Sequence, residues 1–289
     1  MIKMYRIVYK KELNSTVIRI DVEAPFVAKS ARAGQFIILR VDKDGERIPL
    51  TVADTDKERG TVSVIYQVVG ATTKKLSQLG VGDYIQDFVG PLGMPTELDG
   101  ITDACIVGGG VGCAIALPIA KELKRRGARV TTIIGFRTRE LVILEDEFRA
   151  VSDEMYVVTD DGSYGRQGNV CMPLGELFDS GKRFDKVITI GPLIMMKFVV
   201  NLTRPTGIPC TVSMNPIMID GTGMCGGCRL TLIDGDKRIT KFACVDGPDF
   251  DGYLVDFDEA MLRGTMYRDF EAHAFTEACN LFKSGVKNG

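Results

Sequence analysis

Three cysteines and one aspartate in the last third of the sequence have the spacing of a metal site. Asp220, Cys225, Cys228 and Cys244 follow the pattern D-x4-C-x2-C-x15-C, with glycines between the first three. This is the C-x4-C-x2-C…C spacing of plant-type ferredoxins, except that aspartate takes the first ligand position. Thiolates are soft, charged ligands that suit iron and inorganic sulfide. The pattern therefore predicts a [2Fe-2S] cluster held by three thiolates and one carboxylate.

Two other interpretations of these residues stay open at this point. Three thiolates and a carboxylate can also complete the tetrahedron around zinc, and C-x2-C is a common zinc element. A redox pair formed by Cys225 and Cys228 is the second, although a thioredoxin-like pair would sit where a strand enters a helix. The remaining five cysteines lie in apolar segments and are assigned no chemistry: Cys105, Cys113, Cys171, Cys210 and Cys279.

Three glycine-bearing loops follow predicted strands in the middle of the chain. The first, 107–112, opens a helix, where backbone N–H groups and the helix dipole can bind a phosphate. Cys113 replaces the last glycine of G-x-G-x-x-G, so a plain strand-to-helix turn is the alternative. The other two loops, 160–165 and 191–192, would lie at the same sheet edge. The residues predicted to contact a dinucleotide are Gly109, Gly110, Val111, Gly112, Asp161, Gly162, Gly191 and Pro192.

The residues at the predicted adenosine ribose do not distinguish NAD from NADP. No acidic residue ends the second strand of this region, where a carboxylate commonly binds the adenosine ribose. Arg137 follows that strand instead and could bind a 2′-phosphate, or it could be an exposed charge at a helix start. Both NAD and NADP remain compatible with the sequence.

Two segments of the first hundred residues are candidates for a flavin site. Arg47 begins R-x-x-x-T, and a guanidinium gives phosphate a two-pronged hydrogen bond. Residues 66–73 read YQVVGATT, and residues 90–93 form the turn GPLG. In this order, and with the GGGVG and DDGSYG loops after them, the segments resemble the ferredoxin–NADP reductase superfamily.

The resemblance implies an FAD site in which the arginine binds the pyrophosphate and the Thr-Thr helix start adds donors to phosphate. The residues implied at the flavin are Arg47, Pro49, Leu50, Thr51, Ile65, Tyr66, Gln67, Gly70, Thr72 and Thr73. By the same resemblance, Gly191, Pro192 and Met195 would contact nicotinamide. Hydride transfer to a flavin demands no acid, base or nucleophile from the protein. No catalytic side chain is therefore named, and His273 is expected to be structural.

The complete order of flavin, nucleotide and cluster segments resembles the electron-transfer subunits of dihydroorotate dehydrogenase B. Asp220 and the segment 255–259, VDFDE, are similar to the small subunits of NADH-dependent reduced ferredoxin:NADP oxidoreductases. That similarity implies FAD, one [2Fe-2S] cluster and NAD(H) in this chain. It also implies a larger partner subunit that carries a second FAD and [4Fe-4S] clusters and that reaches ferredoxin in electron bifurcation. The alternatives are an orotate-linked subunit and a non-enzymatic, zinc-stabilised regulatory module.

The strands and helices that the sequence predicts around these residues indicate a multidomain fold. Short alternating runs separated by Gly, Pro and Asp predict an antiparallel β-barrel over residues 1–98. Alternating strands and helices over 99–208 predict an α/β domain with a parallel sheet. Residues 209–250 would form the small cluster domain, with a hairpin at Asp234–Gly235–Asp236. Apolar residues at helical spacing predict a helical tail over 251–289, with its helix from Met261 to Lys283.

Composition limits the class of protein. Thirty-six Lys and Arg against 38 Asp and Glu give a net charge of -2, so no basic field is expected for nucleic acid. The most apolar window, 104–120, is interrupted by glycines and Pro118, which argues against a membrane span. The first residues show no apolar run followed by small residues. We therefore expect a cytoplasmic protein.

Overall fold

A computed structural model describes residues 4–266, 270 and 272–276. Seven strands of the amino-terminal region form one antiparallel sheet in the order β6-β1-β2-β5-β4-β3-β7. The strands are β1 (Tyr5–Glu12), β2 (Val17–Glu23), β3 (Phe36–Arg40), β4 (Arg47–Asp56), β5 (Thr61–Gln67), β6 (Tyr84–Ile85) and β7 (Asp87–Leu92). Two short helices lie between them, α1 (Pro25–Ser30) and α2 (Ala71–Leu76). This curled sheet is the predicted barrel.

Alternation of side chains along the strands gives the barrel its core. In β2 and β5, alternate residues such as Ile20, Val22, Val62 and Val64 are fully buried together inside the barrel. The intervening Val17 and Ile65 pack instead in a second core that they share with the nucleotide domain. A strand whose two faces meet two different cores fixes how the domains sit on each other.

The middle of the chain forms a second seven-stranded sheet, in the order β11-β10-β9-β8-β12-β13-β16. Its strands are β8 (Asp103–Gly109), β9 (Arg129–Phe136), β10 (Glu154–Thr159), β11 (Arg166–Gln167), β12 (Lys186–Ile190) and β13 (Cys210–Ser213), with β16 (Asp249–Asp251) at the edge. All neighbours are parallel except β13 and β16. The helices are α3 (Gly112–Arg125), α4 (Glu145–Val151), α5 (Cys171–Asp179) and α6 (Leu193–Thr203). The predicted α/β domain is confirmed.

The sheet extends past the limit expected from the sequence. β13 pairs in parallel with β12, and β16 returns antiparallel to β13, so residues 210–213 and 249–251 belong to the sheet. The sequence placed residues 210–213 and 249–250 in the cluster region and residue 251 in the tail, because strands of three or four residues carry little periodic signal. The domain limits at 98, 208 and 250 remain predictions.

Two strands between these sheet segments form the small carboxyl-terminal unit. β14 (Arg229–Asp234) and β15 (Lys237–Phe242) pair as an antiparallel hairpin at the predicted turn. α7 (Phe257–Arg263) follows, and the side chain of Asp256 caps it by accepting a hydrogen bond from Glu259 N. The helix predicted from Met261 to Lys283 is interrupted at its start, because α7 ends at Arg263 and residues 264–266 form a turn. Residues 270 and 272–276 are helical, and its other residues, with Cys279, lie outside the described part of the chain.

A local backbone feature sets the start of α4. The helix begins only at Glu145, because Leu144 adopts a left-handed backbone conformation with φ of 60°. A short 3₁₀ turn, Arg139–Leu141, precedes it. Over the described part of the chain, no helix is long and apolar enough to cross a membrane.

Candidate functional site

A cavity of about 780 Å³ lies between the barrel and the nucleotide sheet, at the carboxyl ends of the parallel strands. Such a crevice is the usual ligand site of an open α/β sheet. Nine of the residues predicted from the sequence line it: Gln67, Gly109, Gly110, Val111, Gly112, Arg137, Gly191, Pro192 and Met195. The barrel contributes Gln67 and the nucleotide domain contributes the rest, so the cavity spans both domains.

The glycine loop between β8 and α3 is shaped for close approach. A Cβ atom on Gly112 would lie 2.5 Å from the carbonyl oxygen of Ile190, so this glycine lets α3 pack against β12. Gly110 has a positive φ of 55° and donates its N–H to the Gly135 carbonyl at 2.8 Å. A Cβ atom on Gly109 would lie 2.3 Å from Met195 Sδ. The loop therefore brings bare backbone to the cavity wall.

The predicted loop 160–165 lines the cavity with a different residue from those expected. Asp161 Oδ1 accepts hydrogen bonds from Ser163 N at 3.0 Å and Ser163 Oγ at 2.6 Å. The hydroxyl of Ser163, and then its backbone N–H, lowers the pKa of Asp161 below its ordinary value. Asp161 and Gly162 are not among the residues that line the cavity; Asp160 is. The aspartate of this loop that lines the cavity is therefore Asp160, one residue before the predicted Asp161.

Several cavity residues had no signal in the sequence. Asn14 and Thr16, from the turn between β1 and β2, line the cavity, and Asn14 Nδ2 donates to the Leu141 carbonyl at 3.2 Å. Ser213 and Asn215 reach it from the far side of the sheet. These contacts join segments more than a hundred residues apart. Only the packing of two domains brings them together, so local patterns could not reveal them.

Strand β4 carries most of the residues that the resemblance implies at the flavin. It lies between β3 and β5 in the barrel, yet Ile48, Pro49, Leu50 and Thr51 are all only half-buried. Arg47, at its start, is exposed. Apolar side chains that stay partly uncovered on an interior strand present a surface for a flat, largely apolar ligand. This strip fits a flavin ring.

Strand β5 places its implied residues on opposite faces. Tyr66 points into the barrel core, 2% exposed, and its hydroxyl is buried without a hydrogen-bond partner in the described chain. Burial raises the pKa of this phenol well above its ordinary value. Ile65 and Gln67 face outward, toward the nucleotide domain and the cavity. Of the three, Ile65 and Gln67 can offer side chains to a cofactor outside the barrel.

Two threonines of α2 hold the segments that precede the helix. Thr73 Oγ1 accepts hydrogen bonds from Gly70 N at 2.9 Å and Val69 N at 3.0 Å. Thr72 Oγ1 donates to Glu46 Oε2 at 2.7 Å, which ties α2 to the turn before Arg47. Gly70, Thr72, Thr73 and Arg47 lie outside the lining of the cavity but next to one another. They form a separate polar group beside the apolar strip of β4.

The four predicted cluster ligands lie in one loop-and-hairpin region. The Sγ atoms of Cys228 and Cys244 are 3.2 Å apart in a buried setting, whereas Cys225 is exposed. Asp220 accepts hydrogen bonds from the backbone N–H groups of Thr222, at 2.7 Å, and Cys225, at 2.8 Å. Within the described residues, no group of three or more acidic, thiol or imidazole side chains is gathered tightly enough to hold a metal ion. Of the four predicted ligands, Cys228 and Cys244 therefore have their thiols together. Asp220 and Cys225 are joined by the hydrogen bond from the Cys225 backbone to the Asp220 carboxylate.

The donor chemistry around the thiol pair still suits an iron–sulfur cluster. Burial, then the neighbouring Cys228 thiol, raises the pKa of Cys244 to about 12, while a hydrogen bond from the Gly223 backbone acts against that rise. Gly221, Gly223 and Gly226 all have positive φ values, which turn the loop tightly. Loop N–H groups directed at sulfur are typical of cluster sites.

The cluster loop packs on the barrel at β3 and β7, next to β4. A Cβ atom on Gly221 would lie 2.6 Å from Leu92 Cδ1 and 3.2 Å from Ile38 Cγ1. Ile38 pairs with Pro49 of β4. Phe36 and Ile38 of the barrel also share one core with Cys228 and Cys244. The thiol pair and the half-buried strip of β4 are thus separated by a single strand, β3.

A buried carboxyl lies where the three units meet. Asp249 Oδ2 accepts a hydrogen bond from Thr96 Oγ1 at 2.6 Å, and its Oδ1 is buried with no partner in the described chain. Burial raises the pKa of Asp249 above its ordinary 3.8, although Thr96, Ser213 and Lys186 oppose the rise. Ser213, opposite Asp249 in the sheet, also lines the cavity.

We expect Asp249→Asn to change the pH dependence of stability. A raised folded-state pKa means that the stability from this group is present below about pH 4, near the unfolded value of 3.8, and is lost as pH rises through the folded pKa. Asparagine cannot ionise, so the variant should gain stability relative to wild type as pH rises toward neutrality. Urea unfolding of both proteins across this range measures the difference. Exposed Asp234→Asn is the matched control, and a difference that does not grow with pH contradicts the assignment.

Comparison with known proteins identifies the cluster region and the whole chain. Residues 215–256 match the iron–sulfur cluster binding domain of dihydroorotate dehydrogenase B, and all four predicted ligands fall within that range. This match speaks against the zinc and thioredoxin-like interpretations. The chain is 48% identical over 265 residues to a dihydroorotate dehydrogenase B (NAD(+)) electron transfer subunit homolog of Thermotoga maritima, with 92% of each chain covered. It is 35% identical over 250 residues to the Streptococcus pneumoniae dihydroorotate dehydrogenase B (NAD(+)) electron transfer subunit, covering 85% of this chain and 97% of that one.

Solved structures agree with the sequence relatives. A chain from the structure of NADH-dependent reduced ferredoxin-NADP oxidoreductase, which gave insights into flavin-based electron bifurcation, aligns with a TM-score of 0.88 at 45% identity. The alignment covers 95% of this chain and 98% of that chain. A cytochrome P450 reductase from Amycolatopsis shares the fold, with a TM-score of 0.58 at 23% identity over 70% of this chain and 65% of that one. The resemblance inferred from the sequence is confirmed: the chain belongs to the family of dihydroorotate dehydrogenase B electron-transfer subunits and their homologues, an oxidoreductase family with the ferredoxin–NADP reductase fold.

Proposed function

We propose that this chain is the FAD and [2Fe-2S] subunit of a bifurcating oxidoreductase. It exchanges hydride with NAD(H) and single electrons with a larger subunit that carries flavin and [4Fe-4S] clusters. That complex connects NADPH, NAD and ferredoxin. One observation carries the proposal: Gln67 of β5 lines the dinucleotide cavity, the half-buried strip lies on the neighbouring strand β4, and β3 beyond it shares one core with the thiol pair.

The order of these sites matches the electron chemistry. A nicotinamide exchanges two electrons as a hydride, a cluster passes one, and a flavin placed between them exchanges electrons in either number. In this arrangement, the glycine loop and Met195 at the cavity would bind the nicotinamide, and Cys228 and Cys244 would hold the cluster across β3 from the strip. Each group would then meet the flavin from a different face or edge.

Individual residues have distinct tasks in this arrangement. Pro49, Leu50 and Thr51 would lie against the flavin ring, with Ile65 and Gln67 on the neighbouring strand. Arg47, beside the polar group around Thr72, would pair with the pyrophosphate, since a guanidinium binds two phosphate oxygens at once. Tyr66 would contribute only backbone, because its side chain fills the barrel core. The task of these residues would be to bind and orient the cofactors and to exclude water from them.

A partner surface is available beside the cluster. Met224 is 88% exposed, and Ile217 and Ile219 are 43% and 49% exposed on the same loop as Asp220. Large apolar side chains clustered on a surface commonly mark a protein interface. We propose that the larger subunit covers this loop and exchanges single electrons with this chain through the cluster.

The orotate-linked reductase is the second candidate. It is favoured by the names of the curated relatives and by the match over residues 215–256. The electron-transfer parts of both enzymes would use the same cavity and strip. The substrate that reduces or oxidises the purified complex discriminates them: dihydroorotate in one case, and NADPH with ferredoxin in the other.

Co-purification tests the proposal. The complex isolated through this chain should be coloured and should contain FAD, iron and acid-labile sulfide, together with a larger subunit. Its partner should be identified by mass spectrometry, and the isolated complex should oxidise NADPH only when NAD and ferredoxin are both present. A colourless zinc protein would contradict the proposal and would support a regulatory module.

The role of Asp220 has its own test. We propose that its carboxylate leaves the loop amides and binds iron when the cluster is present. Because oxygen is a harder donor than thiolate, Asp220→Cys should change both the electron paramagnetic resonance spectrum and the reduction potential of the cluster. The matched control is Asp234→Asn, at the exposed tip of the neighbouring hairpin. Unchanged spectra in Asp220→Cys would mean that Asp220 only organises the loop.

A further inference from the structure

Two side chains supply all the formal charge on the wall of the cavity. Arg137 and Asp160 are the only residues of an acidic or basic type in the lining. They follow β9 and β10, which are neighbouring parallel strands paired up to Phe136 and Thr159. Asp160 N donates to the Phe136 carbonyl at 3.0 Å, which holds the two strand ends side by side. Two residues of opposite charge therefore follow neighbouring strand ends at the wall of the cavity.

Neither side chain is engaged by the protein. In the described part of the chain, the carboxylate of Asp160 and the guanidinium of Arg137 make no hydrogen bond or ion pair. Their neighbours differ: Asp161 binds Ser163, and the Arg139 guanidinium stacks on the Tyr164 ring at 5.4 Å. Of these four charged residues, the two that line the cavity are the two that are left for a ligand.

The chemistry of a dinucleotide's adenosine ribose suits this pair. A carboxylate accepts hydrogen bonds from the ribose 2′-hydroxyl and repels a 2′-phosphate, whereas an arginine alone attracts the phosphate. Here the carboxylate of Asp160 offsets the charge of Arg137, so a doubly charged phosphate gains little net attraction. The usual position of the acidic residue is the end of the second strand. In this chain it is displaced to the third.

We propose that Asp160 is the specificity residue that restricts this cavity to dinucleotides with a free 2′-hydroxyl. The assignment rests on the proposed function, since it takes the cavity to be the NAD(H) site. Arg137 alone would favour NADP(H), and Asp160 reverses that preference. Removing the carboxylate should therefore expose a latent affinity of Arg137 for the 2′-phosphate.

The test compares two fragments that carry no reactive nicotinamide, ADP-ribose and its 2′-phosphorylated form. Binding of each to the holoprotein is measured by calorimetry, together with the rate of flavin reduction by NADH and NADPH. In Asp160→Asn, the affinity ratio should shift toward the phosphorylated fragment by about tenfold or more. The double variant Asp160→Asn/Arg137→Ala should lose that gain. Exposed Asp179→Asn, on α5, controls for the change in net charge.

The outcomes separate this inference from the function on which it rests. If the wild type binds ADP-ribose but Asp160→Asn leaves the ratio unchanged, Asp160 is not the specificity residue, and the NAD(H) site stands. If the gain appears but survives the removal of Arg137, the proposed opposition of the two charges is wrong. If the wild type binds neither fragment, the cavity is not the dinucleotide site, and both proposals fail.

Discussion

Cys228→Ser should abolish the iron–sulfur cluster while leaving the dinucleotide site intact. The Cys228 thiol is 1% exposed and lies 3.2 Å from the Cys244 thiol, so no other cysteine can replace it without moving the hairpin. A hydroxyl is a poor ligand for iron because it is a hard donor that stays protonated near neutral pH. We expect iron and acid-labile sulfide to fall about tenfold or more, and the electron paramagnetic resonance signal of the reduced cluster to vanish. NADH should still bleach the flavin.

The control for this experiment is another buried cysteine of the same chain. Cys105 lies in β8 with no exposure, and burial raises the pKa of its thiol above the ordinary value. Cys105→Ala should keep both iron and signal, with only a modest loss of stability from a small cavity. Full iron content in Cys228→Ser would contradict the assignment of the cluster to this region.

Gly109→Ala should have the second large effect, at the wall of the dinucleotide cavity. The added Cβ would lie 2.3 Å from Met195 Sδ and 3.3 Å from Pro192 Cδ. The methionine can swing aside, so the protein should fold, but its side chain must then move within the wall of the cavity. Displacement of a bound reactant by about 1 Å can slow a reaction about a hundredfold. We expect a loss of that order in kcat/KM for NADH, measured by rapid-mixing absorbance.

The cofactors provide the internal check on Gly109→Ala. FAD and iron contents should equal those of the wild type, because the strip of β4 and the thiol pair are untouched. Gly127→Ala is a matched glycine variant, since its Cβ would meet no atom within 4 Å, although its φ of +87° makes it the more strained backbone position. If Gly109→Ala reduced its flavin as fast as the wild type, the glycine loop would not border the hydride-transfer site.

Most of the candidate site could be predicted from motifs with fixed spacing. Each motif places several residues within one short segment: the glycine loop, the Gly191–Pro192 turn and the cysteine pattern. The flavin residues were predicted from the resemblance of the motif order to a known superfamily. The parallel sheet was predictable because its strands are apolar and separated by helices. The short strand Cys210–Ser213 was missed because four residues show no period.

What the sequence could not show depends on the meeting of distant segments. Asn14 and Ser213 are 199 positions apart and line the same cavity. Tyr66 matched a family motif, yet the alternation of β5 turns its side chain into the barrel. The sequence favoured Asp161, but its neighbour Asp160 lines the cavity. The Asp161 carboxylate instead accepts hydrogen bonds from the Ser163 hydroxyl and N–H within its own loop.

The central claim is that one chain joins a hydride-exchange site to a one-electron cluster through a flavin. Anaerobic addition of NADH to the purified holocomplex, followed by absorbance and by electron paramagnetic resonance of the frozen sample, tests it most directly. We predict bleaching of the flavin band and the appearance of a reduced-cluster signal, both suppressed in Gly109→Ala and only the second lost in Cys228→Ser. A flavin that NADH cannot reduce, or a cluster that stays oxidised beside a fully reduced flavin, would contradict the account.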